Sequence, residues 1–342
     1  MRFLVVFLLA LLAYSATFIA VVRLIDPRGD FHTGLFPVLL SDARKTKQEQ
    51  FVVFLRQGNV KGIVLGSSRS MNLEPRLLQA RFGNRFFNFA VDSARTEDYL
   101  AVYRWVRQQG AQPTTVVVGL DIESLHNDDL MDSRLQMNMA LRSALAGRPL
   151  GTRDNLIYWG RKYKTLFSDS YARDVVGSVW LAVTKPAPET RALLLEADGY
   201  LRYPRWESER SSGTFNLERE IAECLPTYAK RFEGMTSLSS RRRQYLEQLV
   251  EDATADGATV IVWITSLHPK TVQYLEKRTK YQELHKEVAD RLEELRNRYR
   301  VAVHDYSDPG AYGGIAGGWY DCGHIDERNA ALVVAGLARN AS

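Results

Sequence analysis

The chain has 342 residues, 45% of them hydrophobic and 25% charged, with a formal net charge of +5. These proportions are ordinary for a globular protein and leave ample apolar material for a core. Lys and Arg are scattered rather than striped along one face, which argues against a nucleic-acid partner; so mild a basic excess marks a solvated surface, or one beside an anionic membrane or acidic envelope polymer.

The N-terminus carries the clearest targeting signal. After Met1-Arg2, the run Phe3 to Val22 is twenty residues without a charge, long enough to cross a bilayer core, and Arg23, Asp26 and Arg28 end it. We read residues 1–22 as an uncleaved single-pass anchor in the inner (cytoplasmic) membrane, with the N-terminus inside. A cleaved signal peptide is the alternative, although the small residues near Ser15 and Ala16 make a poor cleavage site. Either way the body faces the periplasm or the cell exterior. Residues 23–58, with Pro27, Gly29, Gly34 and Pro37, read as a juxtamembrane linker, and residues 59–342 as one domain.

Within that domain, strands and helices alternate. Val60–Leu65 is a short apolar run ending at Gly66 and predicts a buried strand; Leu73–Phe82 has helical spacing, with Pro75 tolerated in the first turn. Arg85–Ala90 contains a second strand, Thr96–Gln109 is an amphipathic helix closed by Gly110, and Thr115–Leu120 is a third, β-branched strand. The rhythm stops at about 122–235, read as a largely helical insertion whose Tyr158, Trp159, Tyr163, Tyr171, Trp180, Tyr200, Tyr203 and Trp206 either pack the insertion or line a groove. It resumes with a helix over 238–255, a strand over 258–265, one long helix over 274–299, a short strand over 300–304 and a terminal helix over 326–339. Strands alternating with helices predict an α/β fold: a parallel five-stranded sheet with helices on both faces, and ligands bound at the carboxyl ends of the strands.

Two short motifs carry chemistry. Gly66-Ser67-Ser68-Arg69 lies where the first strand turns into a helix, so a serine there stands at the carboxyl edge of the sheet near helix-start amides. Helix capping is the plainer reading of either serine. Asp321-Cys322-Gly323-His324 lies just before the terminal helix, and an Asp three residues ahead of a His can orient the imidazole that takes a serine proton.

Together these blocks resemble the SGNH, or GDSL, hydrolase superfamily. The resemblance implies a flavodoxin-like sheet with Ser68 as nucleophile, Asp321 and His324 completing a triad, and Ser67 in the variable position after Gly66. It covers about 60–110, the third strand and roughly the last 85 residues, by the element reading above. In the family's second block, Asn88-Phe89-Ala90 implies that Ala90 donates its backbone N–H to the oxyanion hole, together with Ser68. The third block departs from the pattern: Gly119-Leu120-Asp121 puts an acid where the family carries an asparagine donor, and Asn127 is the nearest substitute. Gly-Ser-Ser with a membrane anchor is similar to the branch holding D-alanine transfer and alginate O-acetylation proteins. That similarity implies a serine esterase or O-acyltransferase acting on an acylated envelope glycan or related ester, with a membrane-bound acyltransferase as a candidate partner. The rival is a non-catalytic envelope protein of the same fold that binds polysaccharide or such a partner.

Lesser candidates for substrate binding are Arg69, suited to a carboxylate or phosphate or else to a structural salt bridge, and His268, a loop histidine after the fourth strand. Arg241-Arg242-Arg243 reads as a solvated helix face. Gly313, Gly314, Gly317 and Gly318 form a loop that follows no strand, so no phosphate loop is expected, and neither is a metal or cofactor. Cys224 and Cys322 offer no zinc site; two buried free thiols are expected, with one disulfide as the alternative an oxidising compartment permits.

Overall fold

The computed structural model describes residues 2–29, 31, 33–39, 42–128, 130–185 and 193–339. The strands are β1 (Gly62–Gly66), β2 (Phe86–Asn88), β3 (Thr115–Leu120), β4 (Leu194–Leu195), β5 (Leu201–Arg202), β6 (Thr259–Ile264) and β7 (Ala302–Asp305). The helices before the insertion are α1 (Arg2–Ile25), α2 (Ala43–Arg56), α3 (Pro75–Phe82) and α4 (Thr96–Gln108). The insertion adds α5 (Ser133–Gln136), α6 (Met139–Ala146), α7 (Thr152–Leu166), α8 (Asp169–Thr184), α9 (Pro204–Ser211) and α10 (Leu217–Arg231). After it come α11 (Ser240–Ala255), α12 (Pro269–Glu276), α13 (Tyr281–Tyr299) and α14 (Glu327–Arg339).

The chain divides into two compact units, Met1–Ala43 with Gly151–Arg191, and Arg44–Leu150 with Ala192–Ser342. In the first unit, α1 is the one helix among the described residues that is long and apolar enough to cross a membrane. Its last turns pack Phe18, Ile19 and Val22 against Leu166, Tyr171 and Val175 of the α7–α8 hairpin.

The second unit is an α/β fold around a five-stranded sheet in the order β2-β1-β3-β6-β7, every neighbouring pair parallel. This is the flavodoxin-like doubly wound order, which reverses direction beside β1 and opens a crevice outside its carboxyl end. Ile63, Val64 and Leu65, Val116 to Val118, and Val260 to Trp263 are all buried, the continuous apolar pattern of strands covered on both faces.

Several elements depart from the sequence reading. The stretch 23–58 holds α2, whose Arg44, Lys47 and Phe51 are fully buried; three charges in its first five residues disguise a packed helix as linker. The insertion contains a small antiparallel hairpin, β4–β5, too short to leave a periodic signal. The long helix expected over 274–299 is two helices. The first starts earlier, with His268 as cap and Pro269 in its opening turn, and stops at Glu276; the chain re-enters helix at Tyr281, which is buried against Phe232. Arg242 is buried rather than solvated, ion-paired to Glu97 at 3.2 Å and to Asp128 at 3.0 Å.

Gly66 and Gly119 face each other across β1 and β3 and make room for the buried Ser70, two residues beyond Ser68. A methyl group on Gly119 would stand 1.9 Å from Ser70 Oγ and 3.2 Å from Trp263 Nε1. Gly119→Ala is therefore expected to lower stability by about 1–3 kcal/mol, the usual penalty for overpacking. Denaturant midpoints of the two full-length chains test this, and an unchanged midpoint would show that the turn can yield.

Candidate active site

β1 ends at Gly66 and the chain enters a short 3-10 turn, Ser68–Ser70. Ser67 caps it, its Oγ accepting from the Arg69 N–H at 3.2 Å. The capping duty thus falls on Ser67, while Ser68 Oγ lies 2.9 Å from His324 Nε2. On the other side of the ring, His324 Nδ1 is 2.8 Å and 2.9 Å from the two oxygens of Asp321. With a proton on Nδ1 facing the carboxylate, Nε2 presents its lone pair to the serine. Asp321 Oδ1 also accepts the backbone N–H groups of Gly323 and His324, each at 2.8 Å. Burial pushes the Asp321 carboxyl up, but the imidazole and the two amides outweigh it and hold the group at about 2.

The loop carrying Asp321 and His324 is tied from several directions. Trp319 and Ile325 form an antiparallel bridge, and the Tyr320 N–H donates to His324 O at 2.7 Å. The His268 N–H donates to Cys322 O at 2.9 Å, and Asn72 donates to Ile325 O. Arg210, on α9, donates to Gly317 O at 3.2 Å and to Trp319 O, and pairs with the buried Asp326 at 3.3 Å. Cys322 is disulfide-bonded to Cys224 of α10, so the expectation of two free thiols is corrected. The two cysteines stand 98 positions apart and meet only because α10 packs beside this loop.

The remaining candidates fare differently. Ala90 is buried and its N–H donates to Asn88 Oδ1 at 3.0 Å, so it is not available to an oxyanion. Asn88 is itself a missed residue. Its Nδ2 donates to the carbonyls of Ser70, Met71 and Leu73 at 2.8, 3.2 and 2.9 Å, pinning the turn that follows Ser68. Further along the same loop, Ser93 is exposed and held at a φ of +52°, a region non-glycine residues occupy mostly under constraint.

The Arg69 side chain is engaged inside the protein. It is buried, donates to Thr265 Oγ1 at 2.9 Å, and pairs with Asp121 at 3.5 Å and with Glu123. Asp121 accepts from the same Thr265 hydroxyl at 2.6 Å, so its carboxylate is an acceptor locked into this cluster. Asn127 donates to Thr236 Oγ1 at 3.2 Å and no contact joins it to Ser68 or His324 among the described residues. The His268 ring caps α12, accepting from the Lys270 N–H at 3.2 Å, and stands edge-on to Trp319; burial and then Lys270 lower its pKa.

Of the insertion's aromatics, Tyr203 and Trp206 come to the site. Tyr203 lies 5.9 Å from the His324 ring and 5.1 Å from Tyr320, and Trp206 stacks on Tyr320 at 5.2 Å. Sequence reasoning passed over Tyr320, although its place directly before Asp321 was a usable sign. Among the described residues no group of His, Cys, Asp and Glu is arranged to hold a metal.

No family model matches the chain, and no curated protein matches it. Among solved structures, the crystal structure of TesA is similar at 13% identity and a TM-score of 0.32, the match covering 82% of this chain and 97% of that one. A likeness of that degree fixes neither family nor activity.

Two predictions follow from the site's electrostatics. Arg69→Ala strands the buried Asp121, leaves Glu123 with Arg231 alone at 3.7 Å, and should cost about 3–5 kcal/mol of stability. A variant with an intact melting midpoint but a raised KM would instead return Arg69 to substrate binding. For Asp321 the folded value of about 2 lies below the ordinary 3.8. Its ionisation therefore stabilises the fold above about pH 4, and that contribution fades as pH falls towards 2. Melting midpoints recorded down this range should fall less steeply for Asp321→Asn than for the parent; parallel slopes would contradict the assignment.

Proposed function

We propose that this protein is a membrane-anchored serine esterase or O-acyltransferase of the SGNH kind, acting on an acylated glycan or related ester of the cell envelope. The reading rests above all on Ser68 Oγ standing 2.9 Å from His324 Nε2, with Asp321 2.8 Å behind the imidazole. Its support is the order of parts: a serine at the carboxyl end of the strand where the sheet reverses, and an acid and base in the last loop before the terminal helix.

In this mechanism Ser68 Oγ attacks the acyl carbonyl and passes its proton to His324 Nε2. His324 returns that proton to the departing alcohol, leaving an acyl ester on Ser68. Water then gives hydrolysis and a sugar hydroxyl gives transfer, with His324 again as base and Asp321 holding its ring. One oxyanion donor is the backbone N–H of Ser68, at the first position of its turn, where a helix start leaves such groups unpaired. The other expected donor, the Ala90 N–H, is engaged with Asn88. The acyl donor would reach the site from a membrane-bound acyltransferase.

α1 supports a single span, and the Cys224–Cys322 bond supports an oxidising compartment and so a body outside the cytoplasm. One observation favours the second reading, a non-catalytic envelope protein: Ala90, an expected oxyanion donor, is committed to Asn88, and Asp121, which stands where the family carries an asparagine donor, is held as an acceptor by Thr265.

Ser68→Ala and His324→Ala should each remove activity by on the order of a thousandfold or more, and the double variant should lose little beyond either, because the pair acts as a unit. Ser67→Ala should cost about 1 kcal/mol through its cap and keep most turnover. The measurements are hydrolysis of a short-chain aryl ester, fluorophosphonate labelling by mass spectrometry, and melting midpoints. Wild-type turnover in Ser68→Ala would remove the nucleophile assignment. A parent chain with neither turnover nor labelling would make the binding-protein reading the better one.

A further inference from the structure

The α7–α8 hairpin carries apolar side chains on the outside as well as the inside. Leu156, Trp159 and Tyr163 recur along α7 at helical spacing and are all exposed, Trp159 by 48%. Val176, Trp180 and Val183 form the same kind of stripe on α8, with Trp180 55% exposed. The inward faces are already used: Leu166 and Tyr171 are buried with Val22 of α1. A soluble hairpin keeps polar groups on the face opposite its core, so two exposed aromatic-aliphatic stripes call for a partner phase.

The hairpin's position supplies that phase. Phe167, at the turn between α7 and α8, stacks on Phe18 of α1 at 5.1 Å. Phe18 precedes Arg23, the first charge after the apolar run, by only about 7–8 Å along the helix axis at 1.5 Å per residue. If α1 enters a bilayer, the hairpin tip therefore lies at the depth where headgroups meet acyl chains. Tryptophan and tyrosine concentrate at that depth, because their rings are apolar on one side and polar on the other. The charge agrees: over 151–185 there are six Lys and Arg against three Asp, a balance that suits an anionic lipid surface. Arg153, Arg161 and Lys164 are exposed beside the stripe on α7.

We infer that α7 and α8 form a second membrane contact, an interfacial hairpin that lies on the bilayer with Trp159 and Trp180 seated among the lipid headgroups. The inference rests on the reading that α1 enters the membrane, and extends it. The span then supplies attachment, and the hairpin supplies a flat, wide foot that fixes how the first unit is oriented to the membrane plane. An amphipathic pair of this kind binds in proportion to the apolar area it buries and to the attraction of anionic lipid.

Spin labelling of the full-length chain, reconstituted alone in phosphatidylcholine–phosphatidylglycerol vesicles, tests it. Trp159→Cys, Val176→Cys, Trp180→Cys and Val183→Cys each receive one label without reduction of the native disulfide. Leu12→Cys in α1 serves as the deep reference and Glu251→Cys as the aqueous one. The expected result is that all four hairpin labels collide severalfold more with dissolved oxygen, relative to a water-soluble nickel chelate, than the label at 251 does, and sit shallower than the label at 12. If the label at 12 is in lipid while the hairpin labels meet the chelate freely, the hairpin proposal is overturned and the span survives. Hairpin labels shielded from both reagents mean that a second copy of the chain covers the stripes, which also overturns it. A label at 12 that meets the chelate removes the span itself, and the proposal with it.

Discussion

The contact between Ser68 and His324 joins residues 256 positions apart through a single 2.9 Å approach, and most of what is unusual in the second unit serves to hold its two sides. A hydrogen bond tolerates errors of only a few tenths of an ångström, so both loops must be fixed by more than their own backbone. On the serine side, Asn88 gathers three carbonyls of the following turn, while Lys47 of α2 donates to Asn88 O at 2.8 Å. On the histidine side, the bridge at Trp319–Ile325, the Arg210 hydrogen bonds and the bond to α10 do the same work.

Several of these supports are charges taken out of water. Arg44 pairs with Asp98 at 2.7 Å, Arg242 with Glu97 and Asp128, and Arg69 with Asp121 and Glu123. Removing Arg44 or Arg242 would leave the buried Asp98 or Glu97 without its cation, which is far costlier than losing the pair's modest net attraction. At the carboxyl edge of the sheet, Arg69 ties the residue after Ser68 to Asp121 and Thr265, which follow β3 and β6. Lys47 shows the expense plainly, since burial drives its pKa well below the ordinary lysine value.

How much of this could be read from the sequence follows from the range of the interactions. The buried strands were legible because a parallel sheet covered on both faces demands unbroken runs such as Thr115–Leu120, and the range expected there is the range found. Asp321 and His324 were legible as a local pair, three residues apart on one turn. What escaped depends on distant partners. Nothing near Arg69 or Arg242 announces that Glu123, Asp121 or Glu97 will meet them inside the protein. The Asn88 side chain works through carbonyls 15 to 18 positions back, invisible to any pattern of residue types. The break between α12 and α13 has no glycine or proline to mark it, whereas the start of α12 was readable from Pro269 and was overlooked. α2 reads as linker because two of its charges, Arg44 and Lys47, are buried rather than solvated.

The Cys224–Cys322 bond has a topological result of its own. It closes a ring of 98 residues that encloses α11, β6, α12, α13 and β7, so that two of the five strands of the sheet lie within it. In a chain-entropy picture a loop of that size removes about 4–5 kcal/mol of freedom from the unfolded chain. The ring also changes what damage means. A protease that cuts anywhere between the two cysteines makes two fragments that stay covalently joined, with the His324 loop still moored to α10. A local opening of the far half of the sheet can therefore expose backbone to cleavage without setting the last helix adrift.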